Sequence, residues 1–135
     1  MSFTSRMVVR FAHVDAAGIV FYPRYFEMLN AVVEDYFAQE VGVDFATMHL
    51  DRKLGVPTAK LESEFLAISR LGDVLDFRLA VERVGRSSAE LRIEGHCAGQ
   101  IRVRARIVLV CIDLDNHRSV TWPADMRPKP EAQAA

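Results

Sequence analysis

The chain has little of what metal centres, secreted scaffolds, membranes and nucleic acids demand. Its only cysteines, Cys97 and Cys111, lie far apart with no CxxC spacing, so neither a disulfide framework nor a zinc cage is implied. The four histidines, His13, His49, His96 and His117, make no HExxH or similar pattern, and no metal is expected. No run approaches the ~20 apolar residues that span a bilayer, and the opening MSFTSRMVVRF lacks the apolar core of a secretion signal. A cytoplasmic address without a membrane partner is therefore expected. The formal net charge of -1 argues against a nucleic-acid partner.

What is present suits one folded unit. Half of the 135 residues are apolar and 26% are charged, which fits a single domain, here assigned to residues 1–127. Residues 128–135, PKPEAQAA, read as a tail without core positions. Met7 to Phe11 alternates like a short strand, and the small residues of 13–18 read as a loop. Pro23 suits a first helical turn, Phe26, Leu29, Val33, Tyr36 and Phe37 recur at helical spacing, and Gly42 supplies a stop. Asp44 can cap a short second helix running to about Arg52.

After Gly55-Val56-Pro57 the pattern is that of strands. Thr58 to Ala67, Leu75 to Val81, Ala89 to Ile93 and Ile101 to Ile107 each alternate, and Gly72-Asp73 is read as the turn joining the first two as a hairpin. Arg102, Arg104 and Arg106 fall on one strand face, read as solvated surface or a subunit contact. Val108 to Ile112 is apolar on both faces and reads as a central strand or one covered by a neighbour. The predicted fold is α+β, an antiparallel sheet wrapped around one long central helix. Such a sheet leaves a face or an edge over, so a homodimer or homotetramer is expected.

The most informative stretch is FAHVDAAGIVFYPRYFEMLNAVVEDY, residues 11–36. Asp15, Gly18, Ile19, Val20, Phe21, Tyr22, Pro23 and Tyr25 fall in register with the signature of the 4-hydroxybenzoyl-CoA thioesterase family, which this segment resembles. Weaker similarity extends through Gly55-Val56-Pro57, Gly72-Asp73-Val74-Leu75, Arg86-Ser87 and Trp122-Pro123-Ala124-Asp125, nearly the whole chain. The resemblance implies a hotdog fold and hydrolysis of an acyl-CoA thioester. It needs no cofactor beyond the coenzyme A that the substrate carries. It also implies that Asp15 is the catalytic carboxylate, that the Tyr22 backbone N–H polarises the thioester carbonyl, and that Gly18 lets the substrate approach.

The chemistry of that placement is reasonable in itself. A carboxylate just before a helix start sits beside unpaired N–H groups and a partial positive charge, which suit a developing oxyanion. Asp15 can attack the carbonyl as a nucleophile or activate water as a general base, and the sequence leaves both open. Its plain alternative is a turn or capping aspartate. His13, two residues away, would point the same way as Asp15 on an extended backbone, as a proton-transfer partner or a residue of the substrate rim.

Other assignments follow the resemblance. Relatives bind the phosphates of CoA with basic side chains at a strand turn, where this chain offers Arg83, Arg86, Ser87 and Ser88. Phe21 and Tyr25 join Tyr22 as candidates to line the acyl pocket, with plain core packing as the alternative. The site is expected at a subunit interface. An aromatic acyl-CoA is the first expected substrate and a short aliphatic one the second, with carrier-protein thioesters open. Rival readings are a hotdog dehydratase or hydratase using His13 with Asp15, and a non-catalytic acyl-CoA-binding module. The Gly-Ile-Val-Phe-Tyr-Pro continuation disfavours the first, and the absence of room for a partner domain disfavours the second.

Overall fold

The computed structural model describes residues 2–130. Strand β1 covers Phe3–Val8, a short 3-10 turn covers Phe11–His13, and helix α1 covers Tyr22–Tyr36. Strands β2 (Leu54–Gly55), β3 (Thr58–Phe65), β4 (Val74–Val84), β5 (Ser88–Cys97), β6 (Gln100–Val110) and β7 (Ile112–Asp113) follow. Five strands form one antiparallel sheet in the order β1-β4-β5-β6-β3, while β2 pairs with β7 apart from it.

Helix α1 forms where the periodicity places it. Tyr25, Met28, Leu29, Val32, Val33 and Tyr36 recur every three or four residues and are all buried. Pro23 lies in the first turn, where its missing N–H has no intrahelical partner to lose. A wider turn at Phe37–Val41 prolongs the helix, and Gly42 ends it at φ +91°, a left-handed conformation that glycine adopts without a Cβ clash. The Asp44 carboxylate then accepts the Thr47 N–H at 2.8 Å and opens the short helical segment that ends at Asp51.

The helix lies on the inner face of the sheet, where alternate residues such as Leu75, Phe77, Leu91, Ile93, Ile107 and Leu109 are buried. The outer face is charged. Arg104 pairs with Glu94 at 3.1 Å, and Arg106 lies 4.0 Å from Glu82 and 3.8 Å from Glu90. That face needs no apolar cover. The sheet ends in two edge strands, β1 and β3, and on β3 both Leu61 and Phe65 are exposed.

Several sequence expectations change. The first strand is Phe3–Val8 rather than Met7 to Phe11, because Val9 bonds to Gly72 and Asp73 and Arg10 already enters the 3-10 turn. Strands β3 and β4 are not a hairpin: Gly72-Asp73 is a turn, but β3 pairs with β6 and β4 with β1 and β5. Val108 to Ile112 begins within β6, one strand in from the edge, with Leu109 and Cys111 buried and Val108, Val110 and Ile112 half-buried. Arg102 does not belong to a solvated stripe. It is buried and ion-paired to Asp73 at 2.9 Å, because the loop after β3 folds over that end of β6. Of the expected tail, Pro128 is buried, and residues 131–135 lie outside the described residues. No helix among the described residues is long and apolar enough to cross a membrane.

Candidate active site

The segment from Val14 to Val20 folds into a small hairpin that sets Asp15 at its tip. Val14 bridges to Val20, the Asp15 N–H donates to the Ile19 carbonyl at 3.0 Å, and the Gly18 N–H donates to the Asp15 carbonyl at 3.0 Å. Gly18 closes the turn at φ +78°, a backbone that a residue with a Cβ enters only under strain. Asp15 is exposed, and its Oδ1 accepts the Ala17 N–H at 2.8 Å. That is the turn-forming role expected of any such aspartate. Its Oδ2 makes no hydrogen bond among the described residues.

The hairpin runs directly into the start of α1. The Phe21 N–H donates to the His13 carbonyl at 2.9 Å, which ties the base of the turn to the residue preceding the helix. No side chain caps this end. Pro23 has no N–H and the Arg24 N–H is taken by the Phe21 carbonyl at 2.8 Å, whereas the Tyr22 N–H has no backbone partner among the described residues. The free donor and the aspartate thus flank one short segment, residues 16–21.

His13 does not join Asp15. It stands in a 3-10 turn rather than an extended strand, and its Nδ1 accepts the Arg10 N–H at 2.8 Å. The proton of the neutral ring therefore sits on Nε2. No hydrogen bond links His13 to Asp15 among the described residues, which removes the geometry expected of a hydratase-type pair.

The aromatic residues divide by exposure. Phe21 and Tyr22 are exposed, while Tyr25 is buried and donates its hydroxyl to Ser69 Oγ at 2.9 Å. Burial pushes the Tyr25 hydroxyl pKa above its ordinary value, against the smaller opposing effect of its hydrogen bond with Ser69. Phe65, which the sequence reading placed only on a strand face, stacks on Tyr25 at 5.7 Å and meets Tyr22 at 5.9 Å and Phe26 at 6.1 Å. An open groove of about 590 Å3 lies there, lined by Val20, Tyr22, Tyr25, Phe65, Leu66 and Ile68. A second, of about 640 Å3, follows the other end of β3 beside Phe26, Asn30, Phe45, His49, Thr58 and Leu61.

Arg83, Arg86, Ser87 and Ser88 do gather, at the β4–β5 turn. The turn is pinned through its backbone: the Trp122 N–H and Nε1 donate to the carbonyls of Arg86 and Ser88 at 2.9 and 3.0 Å, and the Cys111 N–H donates to that of Ser87 at 2.7 Å. The Arg86 side chain touches only Thr121 among the described residues, at 3.1 Å. Within one chain this turn is remote from Asp15. Asp73, in the loop bonded to the Asp15 hairpin, precedes β4, whose 11 residues then run to Val84, so the hairpin and this turn stand at opposite ends of that strand.

A family model described as the thioesterase-like superfamily matches residues 9–129. The chain belongs to that family. This thioesterase resembles a 1,4-dihydroxy-2-naphthoyl-CoA hydrolase of Thermosynechococcus vestitus, 29% identical over 116 residues, covering 85% of this chain and 79% of the relative. A protein of the same name from Nostoc punctiforme is 24% identical over 126 residues, covering 93% and 84%. Among solved structures, a gentisyl-coenzyme A thioesterase superposes with a TM-score of 0.82 at 23% identity, over 91% of this chain and 98% of the other. The hotdog architecture expected from the sequence is therefore the one found.

Proposed function

We propose that this thioesterase hydrolyses an acyl-CoA with the Asp15 carboxylate, and that a second copy of the chain completes its site. The observation that carries the reading is the pairing of an exposed carboxylate with an uncapped helix start across residues 16–21. A thioester carbonyl oxygen received by the Tyr22 N–H gains negative charge as its carbon is attacked, and one such donor is typically worth ~2.7–4 kcal/mol at the transition state. Two routes balance. In one, Asp15 adds to the carbonyl and expels the thiolate, which takes a proton from solvent, and water then cleaves the mixed anhydride. In the other, Asp15 takes a proton from water as its oxygen attacks, and that proton leaves on the thiol. Gly18 keeps the approach open: nothing lies within 4 Å of the Cβ it lacks.

The placement of Asp15 and the Arg86 turn at opposite ends of β4 within one chain favours a shared site. Phe65 lies at the Asp15 end of the sheet and Thr58 at the Arg86 end, since β3 pairs antiparallel with β6 and β6 with β5. If two β3 edges pair about a two-fold axis, each Phe65 end meets the partner's Thr58 end. Arg83, Arg86, Ser87 and Ser88 of the partner then stand on the Asp15 side of the joint sheet, placed for CoA phosphates. The groove at Tyr22 and Phe65 likewise meets the partner's groove at Phe26 and Phe45, giving an apolar trough for the acyl group. Tyr25 forms part of its wall, and the exposed Phe21 packs edge-on against Tyr22.

An aromatic acyl group is the preferred cargo, with a short aliphatic one second. The aromatic walls of both grooves support the preference, as do two relatives named for a naphthoyl thioester. A panel of aryl-CoA, short-chain acyl-CoA and carrier-protein thioesters, followed by colorimetric thiol release, tests this. The reading expects the highest kcat/KM on an aryl-CoA. It fails if no thioester is hydrolysed above the buffer rate.

A further inference from the structure

The buried guanidinium of Arg102 belongs to none of the roles above. Charged side chains are buried only with partners, and this one has three on a single loop: Nη1 reaches Asp73 Oδ2 at 2.9 Å, the Ile68 carbonyl at 2.9 Å and Ser69 Oγ at 3.3 Å. Its own carbonyl accepts the Leu66 and Ala67 N–H groups at 2.9 and 3.3 Å. Residues 66–73 are thereby fastened to β6 from both backbone and side chain. Nε is buried and has no hydrogen-bond partner among the described residues.

That loop in turn holds the segment between Asp15 and Tyr22. The Val20 N–H donates to the Ser69 carbonyl at 2.9 Å, and the Leu71 N–H donates to the Gly18 carbonyl at 3.1 Å. Ser69 Oγ also accepts the Tyr25 hydroxyl from the first turn of α1 at 2.9 Å. Three bonds from one loop thus reach the Asp15 turn, the strand after it and the helix that follows. Asp73 is locked into the same loop by the Arg70 N–H at 2.9 Å, and its neighbour Gly72 by the Val9 carbonyl at 2.9 Å.

We propose that Arg102 is a positioning residue for thioester hydrolysis, setting the distance between the Asp15 carboxylate and the Tyr22 N–H through Ser69 and the 66–73 loop. This rests on the Asp15 reading above. Arg102 touches no substrate, so its loss acts on the geometry of the reacting groups rather than on binding of the CoA portion. Misplacement by about 1 Å is enough to cost a hundredfold in turnover.

The test compares Arg102→Met, which keeps the stem and removes the charge, with Arg102→Lys, whose ammonium can regain part of the contacts. Arg102→Met is expected to lower kcat by about a hundredfold with little change in KM, and Arg102→Lys to recover at least about a tenth of wild-type kcat. Amide hydrogen exchange at Val20 and Leu71 reads the same hold without reference to activity, and both amides should exchange faster in Arg102→Met. Should that variant fail to fold, Ser69→Ala removes only the hydroxyl joining Arg102 to Tyr25 and is expected to lower kcat alone. Folded variants with wild-type kcat and unchanged exchange at Val20 and Leu71 overturn the positioning role while Asp15→Asn still abolishes turnover. If exchange rises as expected but Asp15→Asn remains active, it is the Asp15 reading that has failed, and the proposed role for Arg102 falls with it.

Discussion

Asp15 has two oxygens and two tasks. Oδ1 shapes the turn by accepting the Ala17 N–H, and Oδ2, without a hydrogen bond among the described residues, is the oxygen the proposed mechanism uses. This separates the residue's structural and catalytic roles by experiment. Asp15→Asn keeps an oxygen for the Ala17 bond, so the fold and thermal midpoint should hold while thiol release drops by at least about a hundredfold, the low end for a positioned acid or base. A folded Asp15→Asn enzyme with near wild-type turnover would reject the carboxylate. The sequence revealed the turn at Asp15 and Gly18 and the helix start at Tyr22, which make up the candidate site, because motif, turn and helix start are all local. It did not reveal Phe65 or Arg102 as partners of that site. Their spacing tells which face each side chain takes, and what covers the face depends on a loop folding back from some 30 residues away in the chain.

Helix α1 was legible for the same local reason: an early proline, an apolar stripe and a terminal glycine agree with one another. The strands were legible as strands but not as neighbours. Alternation in β3 and β4 marks a half-buried surface, yet their order in the sheet is set by long-range pairing that no local pattern encodes. The 66–73 loop that joins them can be probed through acid. The Arg70 N–H and the Arg102 guanidinium hold the Asp73 carboxyl below its ordinary 3.8, against a smaller opposing effect of burial. A carboxyl lowered on folding stabilises the protein above its unfolded value, and the contribution disappears as pH falls through the native one. Asp73→Asn should therefore cost about 1.5–3 kcal/mol at neutral pH, with the gap to wild type closing below 3.8. Urea unfolding of both proteins at several pH values measures this. A gap that stays constant into acid would mean that the Asp73 charge contributes nothing.

Taken whole, the molecule has its helix and its charged outer face provided for and its β3 edge unprovided for. An edge strand with exposed Leu61 and Phe65 invites pairing, and the proposed pairing with a second copy would bring the basic turn to the Asp15 side of the joint sheet. The central claim, that one thioesterase site is built from Asp15 of one copy and Arg86 of the other, is open to a single mixing measurement. Asp15→Asn should be inactive alone. Arg86→Ala should keep kcat but raise KM about tenfold or more, as expected for losing a charge-assisted phosphate contact. Co-refolding the two in equal amounts and assaying thiol release at low acyl-CoA concentration decides the matter. A shared site predicts activity well above the sum of the separate parents, because each mixed dimer carries one site with both residues intact. Activity no greater than that sum would contradict the account.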